Sequence, residues 1–314
     1  MPHVPRMLAI NAVARPGGAE IGLERLITRL HGWQVTVVGP DTLPLGEIAA
    51  GKGARALASF PRADRMTRHA DVVYFNGTVA ARALPAVRHA KTILHVHDLV
   101  DRVPRHWHRA DVVLADSEAV ADRLHPLDAH VVFCPVETTV TERTRPWGPG
   151  PTVGYIGRIE PRKGVLDLVR AAPAIDARVV LVGDDTFGAD RGYGALVTSC
   201  QAVEHHGWVD DAAGLMPHLD VLVLPSYAEP FGTVLAEAMA AGTPVVATTV
   251  GGLPEVVTDG VDGVLVPPGR PDALAEGVAR VLARRDEMGA AAKVSAQRFD
   301  ADAYARRVEA LITP

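Results

Sequence analysis

The sequence predicts an α/β protein of two doubly wound, Rossmann-like domains whose parallel sheets face each other across a cleft. The first observation is length, because 314 residues are more than one compact core usually serves. The second is that short apolar runs alternate with segments of helical spacing, which is typical of parallel sheets covered by helices. The third is a polar, then Pro- and Gly-rich stretch at residues 137–151 (ETTVTERTRPWGPGP), which divides this alternation in two.

The first half of the chain alternates predicted strands with predicted helices. Apolar runs predict strands at Met7–Val13, Gln34–Val38, Asp71–Phe75, Thr92–His97, Asp111–Ala115 and His130–Cys134. Helical spacing predicts helices at Ile21–Leu30, Val79–Arg88 and Glu118–Leu124. We expect these elements to form a first domain over residues 1–143.

The second half repeats the alternation. Strands are predicted at Thr152–Ile156, Val179–Val182, Asp220–Leu224, Pro244–Ala247 and Gly263–Val266, with a helix over Gly164–Ala171. These elements predict a second domain over residues 144–296. Residues 297–314 predict a final helix, which the Asp300-Ala301-Asp302 run opens in the manner of an N-cap.

Composition narrows the class of protein. Hydrophobic residues make up 48% and charged residues 22%, as in soluble globular proteins. A net charge of −5 and an aromatic share of 5% argue against nucleic acid as a partner. Cys134 and Cys200 form no CxxC pair, so we expect a reducing compartment and no zinc site. The start of the chain indicates a first strand rather than a signal peptide, and no apolar run is long enough to cross a bilayer. The expected location is therefore the cytoplasm.

Positive charge is concentrated in the first half. Residues 1–148 carry 18 Lys and Arg against 15 Asp and Glu, whereas the remaining residues carry 14 against 22. The basic residues recur at Arg62, Arg65 and Arg68, and they cluster around Trp107 as Arg102, Arg105, His106, His108 and Arg109. These groups suit an anionic acceptor or at most a peripheral contact with an anionic membrane surface. The alternative, a solvated face in an arginine-rich chain, is favoured by composition alone.

Two glutamates eight positions apart, Glu229 and Glu237, are the most informative residues for function. Glu229 lies in a Pro- and Gly-containing turn, and Glu237 lies in a segment of strong helix formers. Gly232 and Thr233 are predicted to open that helix, so its first backbone N–H groups are available to an anion. The helix end could bind an anionic group, and the carboxylates could accept hydrogen bonds from hydroxyls. A nucleotide sugar has both kinds of group. The alternative for Glu237 is an ordinary exposed helix residue.

A second segment, TVGYIGRIEPRKGVLDLV, places two cationic residues at a predicted strand end and helix start. Arg158 and Lys163 fall where ligands bind in open α/β sheets. Arginine offers a planar fork for phosphate oxygens and lysine a compact point charge. An ordinary charged surface loop is the alternative, but a lysine is unusual here because the chain has only four.

Loops of the first half supply further candidates. Gly17 and Gly18 follow the first strand and permit close approach of a ligand to the backbone, although the G-x-G-x-x-G fingerprint is absent. His95 and His97 end another strand in the motif HVHD, with Asp98 after them. Strand alternation turns both imidazoles to the same side, with His95 deeper in the sheet. A structural role is the usual one for a lone histidine at such a position.

Residues 154–267 resemble the donor-binding domain of the retaining glycosyltransferases of family four, which have the GT-B fold. The motifs that carry the resemblance are GYIGRIEPRKG, LVGD at 181–184, HGWV at 206–209, DVLVLPSYAEPFG and the E-x7-E pair. Thinner similarity continues in RPGGAE at 15–20 and HVHD at 95–98. The chain departs from the family at Asp184 and Asp185, where a glycine and a small residue are usual. It also lacks the usual tryptophan near Phe299.

The resemblance implies a role for each matching position. Residues 1–143 would bind the acceptor, residues 144–296 the nucleotide-sugar donor, and the helix at 297–314 would cross back to the first domain. The implied catalytic residues are His97, Glu229, Arg158 and Lys163. The implied donor-binding residues are Gly17, Gly18, Arg158, Lys163, Gly183, Trp208, Val209, Glu229, Phe231, Gly232, Thr233, Val234 and Glu237. Glu229 would hold sugar hydroxyls, Glu237 ribose hydroxyls, and His97 the transferred sugar.

The implied reaction moves a hexose from a nucleoside diphosphate sugar, UDP ahead of GDP, to an acceptor hydroxyl with an α-glycosidic product. No cofactor and no metal are expected, because the cations and the helix end already oppose the charge of the leaving diphosphate. Two other functions stay open at this point. A GT-B sugar-nucleotide 2-epimerase would form product without an acceptor, and a non-catalytic nucleotide-sugar-binding protein would bind the donor without turnover.

Overall fold

The computed structural model describes residues 3–12, 17–39, 67–185, 191–210 and 212–314. Their contacts divide the chain into two compact units. Unit 1 contains the residues up to Pro135 together with those from Ala301 onwards, and unit 2 runs from Val136 to Asp300. The boundaries expected between the functional domains, at 143/144 and 296/297, remain predictions. Within the described residues, no helix is both long and apolar enough to span a bilayer.

Unit 1 is built on a six-stranded parallel sheet. Its strands are β1 (Arg6–Asn11), β2 (Gln34–Val38), β3 (Val72–Asn76), β4 (Lys91–Val96), β5 (Val112–Ala115) and β6 (Ala129–Val131). Its first two α-helices are α1 (Gly18–Ile27) and α2 (Glu118–Arg123). The strand order is β2-β1-β3-β4-β5-β6, and every pair is parallel.

Unit 2 contains a second six-stranded parallel sheet. Its strands are β7 (Thr152–Ile156), β8 (Arg178–Val182), β9 (Glu204–His205), β10 (Val221–Leu224), β11 (Val245–Thr248) and β12 (Gly263–Val266). Its α-helices are α3 (Val165–Ala171), α4 (Arg191–Thr198), α5 (Thr233–Ala240), α6 (Leu253–Val256), α7 (Pro271–Ala283) and α8 (Arg285–Ser295). The order β12-β11-β10-β7-β8-β9 places β7 and β10 side by side at the centre.

Both faces of the unit 1 sheet are covered by apolar side chains, as strand alternation requires. Val73 and Phe75 of β3 belong to the core on one face, with Trp107. Val72 and Tyr74 belong to the core on the other face, where α1 packs beside the last helix, α9 (Ala301–Ile312). The two faces together keep all five residues of β3 buried. Such a sheet has its polar chemistry only at the strand ends.

The structure confirms the predicted α/β class, since the described residues form two parallel sheets that carry helices. Gln34–Val38, Thr152–Ile156 and Gly263–Val266 have the predicted bounds. The predicted helix over Val79–Arg88 is wrong, because residues Ala80–Ala86 form a 3₁₀ helix instead. Pro85 lies inside it, and a proline has no N–H to donate to an α-helical ladder. The strand predicted from Met7 ends at Asn11, and residue 13 lies outside the described residues.

Candidate active site

The N-terminus of helix α5 is formed as the sequence predicts. Gly232 is the N-cap residue with φ 94° and ψ 50°, in the left-handed region, and Thr233 is the first helical residue. A Cβ at Gly232 would lie 2.5 Å from Leu253 Cδ2, so both backbone and packing require glycine there. Phe231 is buried edge-on against Phe299, with ring centroids 5.3 Å apart. The aromatic ring therefore anchors the loop that precedes the helix.

Glu229 and Lys163 form a short buried ion pair beside this loop. Lys163 Nζ lies 2.5 Å from Glu229 Oε2, and the two side chains are 13% and 9% exposed. Ser226 Oγ donates a second hydrogen bond to Glu229 Oε2 at 3.2 Å. The backbone N–H of Gly252 donates to the Glu229 carbonyl at 3.0 Å. Contacts to the side chain and a hydrogen bond to the backbone carbonyl thus fix the position of Glu229.

Arg158 follows strand β7 and is more open to solvent. Its guanidinium lies 3.5 Å from Glu160 Oε2, and its side chain is 36% exposed. Tyr155 Oη donates to the Arg158 carbonyl at 2.6 Å, which fixes the backbone of the loop. Burial, followed by the charges of Glu229 and Glu160, raises the pKa of Tyr155 well above its usual value. The phenol therefore stays protonated and remains a donor.

The loop after β8 packs against the loop after β7. Gly183 has φ 144°, and a Cβ on it would lie 1.8 Å from the Gly157 carbonyl oxygen. The Gly183 N–H donates to the Gly207 carbonyl at 2.7 Å, and His205 Nε2 donates to the Gly183 carbonyl at 2.8 Å. These bonds join Gly183 to the segment that carries Trp208 and Val209.

Trp208 is one of the exposed large hydrophobic residues of the described chain, at 47%. Its Nε1 donates to Asp210 Oδ1 at 3.0 Å, which orients the indole, and Val209 beside it is half-buried. An exposed, oriented aromatic ring suits contact with a flat ligand group such as a nucleobase.

The remaining predicted residues of α5 are only partly buried. Thr233, Val234 and Glu237 are half-buried, whereas Leu235, Ala236, Ala238, Met239 and Ala240 are buried. Glu237 therefore lies on the open side of a helix whose other faces pack into unit 2. A partly open carboxylate one turn beyond the helix start is suited to accept hydrogen bonds from hydroxyls.

In unit 1, Gly17 is the N-cap of α1 and Gly18 is its first residue. The Gly17 N–H donates to Glu20 Oε2 at 2.8 Å, so the helix start carries its own carboxylate. Gly17 has φ −128°, an extended conformation open to any residue. The neighbouring residues 13–16, including Arg15 of the RPGGAE motif, lie outside the described residues.

His97 follows strand β4 and is held by two neighbours in unit 1. Its Nδ1 lies 2.8 Å from Asp116 Oδ2, and its Nε2 lies 2.8 Å from Asn76 Oδ1. His95 lies on the same side and deeper, as alternation predicts, with its ring centroid 4.0 Å from that of His97 and a residue exposure of 2%. Both nitrogens of the His97 ring thus already have partners.

Sequence reasoning missed Asp116 and Asn76. Asp116 directly follows β5 and Asn76 ends β3, and sheet register aligns Asn76 with His95 and Asn11. Their only signal in the sequence is a polar residue directly after a buried apolar run. Among the described residues, one group has the spacing of metal ligands, namely His95, His97 and Asp116, with ligand atoms within 4.8 Å of one another. His95 Nε2 also lies 2.9 Å from Asp116 Oδ1, as a close contact in which neither atom makes a hydrogen bond to the described residues.

The basic cluster around Trp107 is open to solvent except for the indole itself and the half-buried His106. Trp107 is 2% exposed and belongs to the core, whereas Arg102, Arg105, His108 and Arg109 are exposed. The structure describes Arg68 of the other basic run, while Arg62 and Arg65 lie outside the described residues.

Comparison with known proteins shows which fold the chain shares and which family model matches part of it. Residues 150–284 match the family model "Glycosyl transferases group 1". HepE of Anabaena, solved with UDP-glucose, matches with a TM-score of 0.82 at 23% identity, over 98% of this chain and 99% of that chain. Sucrose-phosphate synthase of Thermosynechococcus elongatus matches with a TM-score of 0.76 at 22% identity, over 98% of both chains. The chain thus has the GT-B fold of these structures, and part of its second unit matches a glycosyltransferase family model.

Two curated relatives are similar in sequence to part of the chain. An uncharacterized glycosyltransferase of Methanocaldococcus jannaschii is 42% identical over 138 residues, which span 41% of this chain and 35% of that protein. A D-inositol 3-phosphate glycosyltransferase of an Arthrobacter species is 38% identical over 160 residues, which span 46% of this chain and 38% of that protein. The chain thus matches little more than a third of the length of these relatives.

Proposed function

We propose that this protein is a retaining, metal-independent glycosyltransferase of family four that moves a hexose from a nucleoside diphosphate sugar to an acceptor hydroxyl. The observation that carries the proposal is the buried Lys163–Glu229 pair next to the N-terminus of α5. It combines a cation, a carboxylate and the N-terminal N–H groups of a helix within one loop cluster of unit 2. A nucleoside diphosphate sugar has the complementary set of phosphates and hydroxyls.

In this proposal the departing diphosphate is stabilised by Lys163, Arg158 and the first N–H groups of α5. Charge develops on the leaving phosphate as the glycosidic bond breaks, and pre-organised donors stabilise it without reorganising. Glu229 accepts hydrogen bonds from the sugar, and Glu237 accepts them from the ribose. His97 of unit 1 contacts the transferred sugar. Retention of configuration gives an α-linked product from an α-linked donor.

We propose UDP, ahead of GDP, as the nucleotide of the sugar donor. HepE of Anabaena was solved with UDP-glucose and in another structure with UDP and glucose, which supports this order. The acceptor that we propose is a phosphorylated polyol. The D-inositol 3-phosphate glycosyltransferases among the relatives and the exposed arginines around Trp107 support an anionic acceptor. We place the protein in the cytoplasm, as its cysteine usage indicates.

The test is a matrix of UDP- and GDP-hexoses against acceptors that include D-inositol 3-phosphate and unphosphorylated inositol. Release of nucleoside diphosphate and the anomeric coupling constant of the product are measured, with and without excess EDTA. Acceptor-dependent release with an α-linked product in EDTA supports the proposal. Rescue by Mg²⁺ or Mn²⁺ after loss in EDTA contradicts metal independence. Product without acceptor points to an epimerase, and donor binding without turnover points to a binding protein.

A further inference from the structure

The amide of Asn76 has one orientation in its hydrogen-bond network. Asn76 Nδ2 lies 2.9 Å from Asn11 Oδ1 and 3.3 Å from the carbonyl oxygen of Ala19. A backbone carbonyl can only accept, so the atom that faces Ala19 must be the NH₂ group. Flipping the amide would set two acceptor oxygens against each other. The atom that faces His97 Nε2 at 2.8 Å is therefore the Asn76 carbonyl oxygen, which also can only accept.

The other ring nitrogen of His97 faces a second acceptor. Asp116 is 3% exposed, and its Oδ2 lies 2.8 Å from His97 Nδ1. An ionised carboxylate has no proton to give. Burial acts to raise the pKa of Asp116 and is the largest single influence, but the charge of His97, which comes next, helps to hold that pKa well below its usual value. Both nitrogens of His97 must then donate.

His95 differs from His97 in the partner of its Nδ1. Tyr74 Oη lies 2.6 Å from His95 Nδ1, while His95 Nε2 lies 2.9 Å from Asp116 Oδ1. Tyr74 is fully buried, and burial raises the pKa of its phenol, so it keeps its proton. Because the carboxylate of Asp116 faces Nε2, a neutral His95 carries its proton on that atom and accepts from Tyr74 Oη at Nδ1. His95 then carries one proton, on Nε2. Burial, followed by the charge of His97, lowers the pKa of His95 to about 4, in agreement with a neutral ring.

We propose that His97 is held as a doubly protonated imidazolium by two positioning residues, Asp116 and Asn76, so that it acts as a hydrogen-bond donor and fixed positive charge and not as a proton acceptor. The carboxylates that face it are Asp116 at the end of β5, Glu20 on α1 and Asp98 on its own loop, and the remaining titratable neighbour is the neutral His95. Burial alone would lower the pKa of His97, but Asp116 outweighs it, and Glu20 and Asp98 add to the net increase.

This assignment narrows what His97 can bind. A ligand oxygen, from a sugar hydroxyl or a phosphate, can replace Asn76 Oδ1 as the acceptor of the Nε2 proton. A ligand group that must lose a proton to His97 is excluded while both ring nitrogens are protonated. The kinetic consequence rests on the proposed function, whereas the protonation state does not.

The direct test is a two-bond ¹H–¹⁵N correlation spectrum of the imidazoles in the wild-type protein labelled with ¹⁵N-histidine, recorded without any substrate. His97→Gln identifies the resonances. At about pH 7.5, one unit above the ordinary histidine pKa, His97 is expected to show two protonated nitrogens and His95 one. Asp116→Asn should shift the His97 titration to lower pH, whereas Asp122→Asn, a matched change on exposed helix α2, should leave it unchanged.

A single protonated nitrogen on His97 of the wild-type protein at that pH overturns the assignment. So does a spectrum that changes on removal of metal by EDTA and returns with Zn²⁺, because the three side chains would then be metal ligands. If Asp116→Asn does not fold, the wild-type spectrum alone decides. Once an acceptor is known, kcat should fall as pH rises through the measured His97 titration; a rise over the same range contradicts the donor role without affecting the transferase assignment.

Discussion

The ammonium of Lys163 and the carboxylate of Glu229 are each other's principal partner, at 2.5 Å and almost out of solvent. A diphosphate bound at Lys163 must compete with Glu229 for this ammonium. Binding of the donor would then release Glu229 to accept hydrogen bonds from sugar hydroxyls. On the proposed function, the pair would link recognition of the phosphate to that of the sugar. Lys163 and Glu229 therefore differ from Arg158, whose side chain is more exposed to solvent.

Arg158→Ala and Lys163→Ala are each expected to weaken binding of the nucleoside diphosphate product. Each removes charge-assisted hydrogen bonds, so the loss should be ~1.5–3 kcal/mol, roughly ten- to a hundredfold in Kd. Lys163→Ala should also destabilise the protein by ~3–5 kcal/mol, because it leaves a buried carboxylate unpaired. Calorimetric titration with UDP measures the first effect and urea unfolding the second. Arg280→Ala, on the exposed face of α7, is the control. Unchanged UDP affinity in both folded variants would remove this site from consideration.

Glu237→Gln and Glu229→Gln should separate KM from kcat. Glu237 is half-buried and is proposed to hold the ribose, which contributes equally to the ground and transition states, so its loss should mainly raise the donor KM. Glu229 is proposed to orient the reacting sugar, so its loss should mainly lower kcat. Steady-state kinetics with varied donor concentration measure both parameters. Glu276→Gln, an exposed glutamate on α7, serves as the control. Small and equal effects would leave the E-x7-E pair as a structural feature.

His97→Ala should lower kcat by ~10²–10³, the usual loss for a positioned polar group at a reacting centre. The measurement is single-turnover product formation with saturating donor, after circular dichroism has verified the fold. His89→Ala, an exposed histidine of the same unit, should have normal rates. Near-normal turnover in His97→Ala would transfer the role to Asp98 or His95. Because His95 is buried beneath His97, a role for His95 would require the substrate to reach its ring in the interior of the sheet.

The stability of unit 1 should decline on both sides of a maximum near neutral pH. The pKa of His97 is raised in the folded protein. Its contribution to the free energy of unfolding is therefore complete below the ordinary histidine pKa and is lost as pH rises through the pKa of the folded state. The pKa of His95 is lowered to about 4, so its neutral ring stabilises the fold above the ordinary value, and this is lost as pH falls from about 6.5 towards 4. Hydrogen exchange of β3–β5 amides between pH 5 and 9 measures the effect. Asp116→Asn should flatten the alkaline side; an unaltered alkaline slope would contradict the pairing.

Gly183→Ala should destabilise unit 2 far more than Gly207→Ala. Both glycines have positive φ, but a Cβ at Gly183 would lie 1.8 Å from the Gly157 carbonyl oxygen, whereas one at Gly207 meets nothing within 4 Å. Overpacking and backbone strain predict a loss of roughly 2–5 kcal/mol for Gly183→Ala, against ~1–2 kcal/mol for Gly207→Ala. Urea unfolding gives both values. Equal losses would mean that the β7 and β8 loops move apart readily.

Sequence alone was sufficient for the fold class and for most strand positions. Buried strands of a parallel sheet are continuous apolar runs, so Thr152–Ile156 and Gly263–Val266 are recognisable without partners. The start of α5 was equally local, because glycine at 232 is the residue that adopts a left-handed N-cap conformation. Local prediction failed at Ala80–Ala86, where an apolar pattern typical of an α-helix contains Pro85 and winds as 3₁₀.

The partners of the candidate site residues were decided by the tertiary structure. Motif spacing brought attention to Lys163, Glu229 and His97, but no local pattern states that Lys163 pairs with a carboxylate 66 residues away. Asp116 meets His97 because β4 and β5 are parallel neighbours in the sheet, and Asn76 meets it from β3 on the other side. Side chains carry their type along the chain, whereas their protonation and hydrogen-bond partners depend on which strands lie side by side. The sequence therefore determined which groups are present at the strand ends, and the sheet order determined what each of them can do.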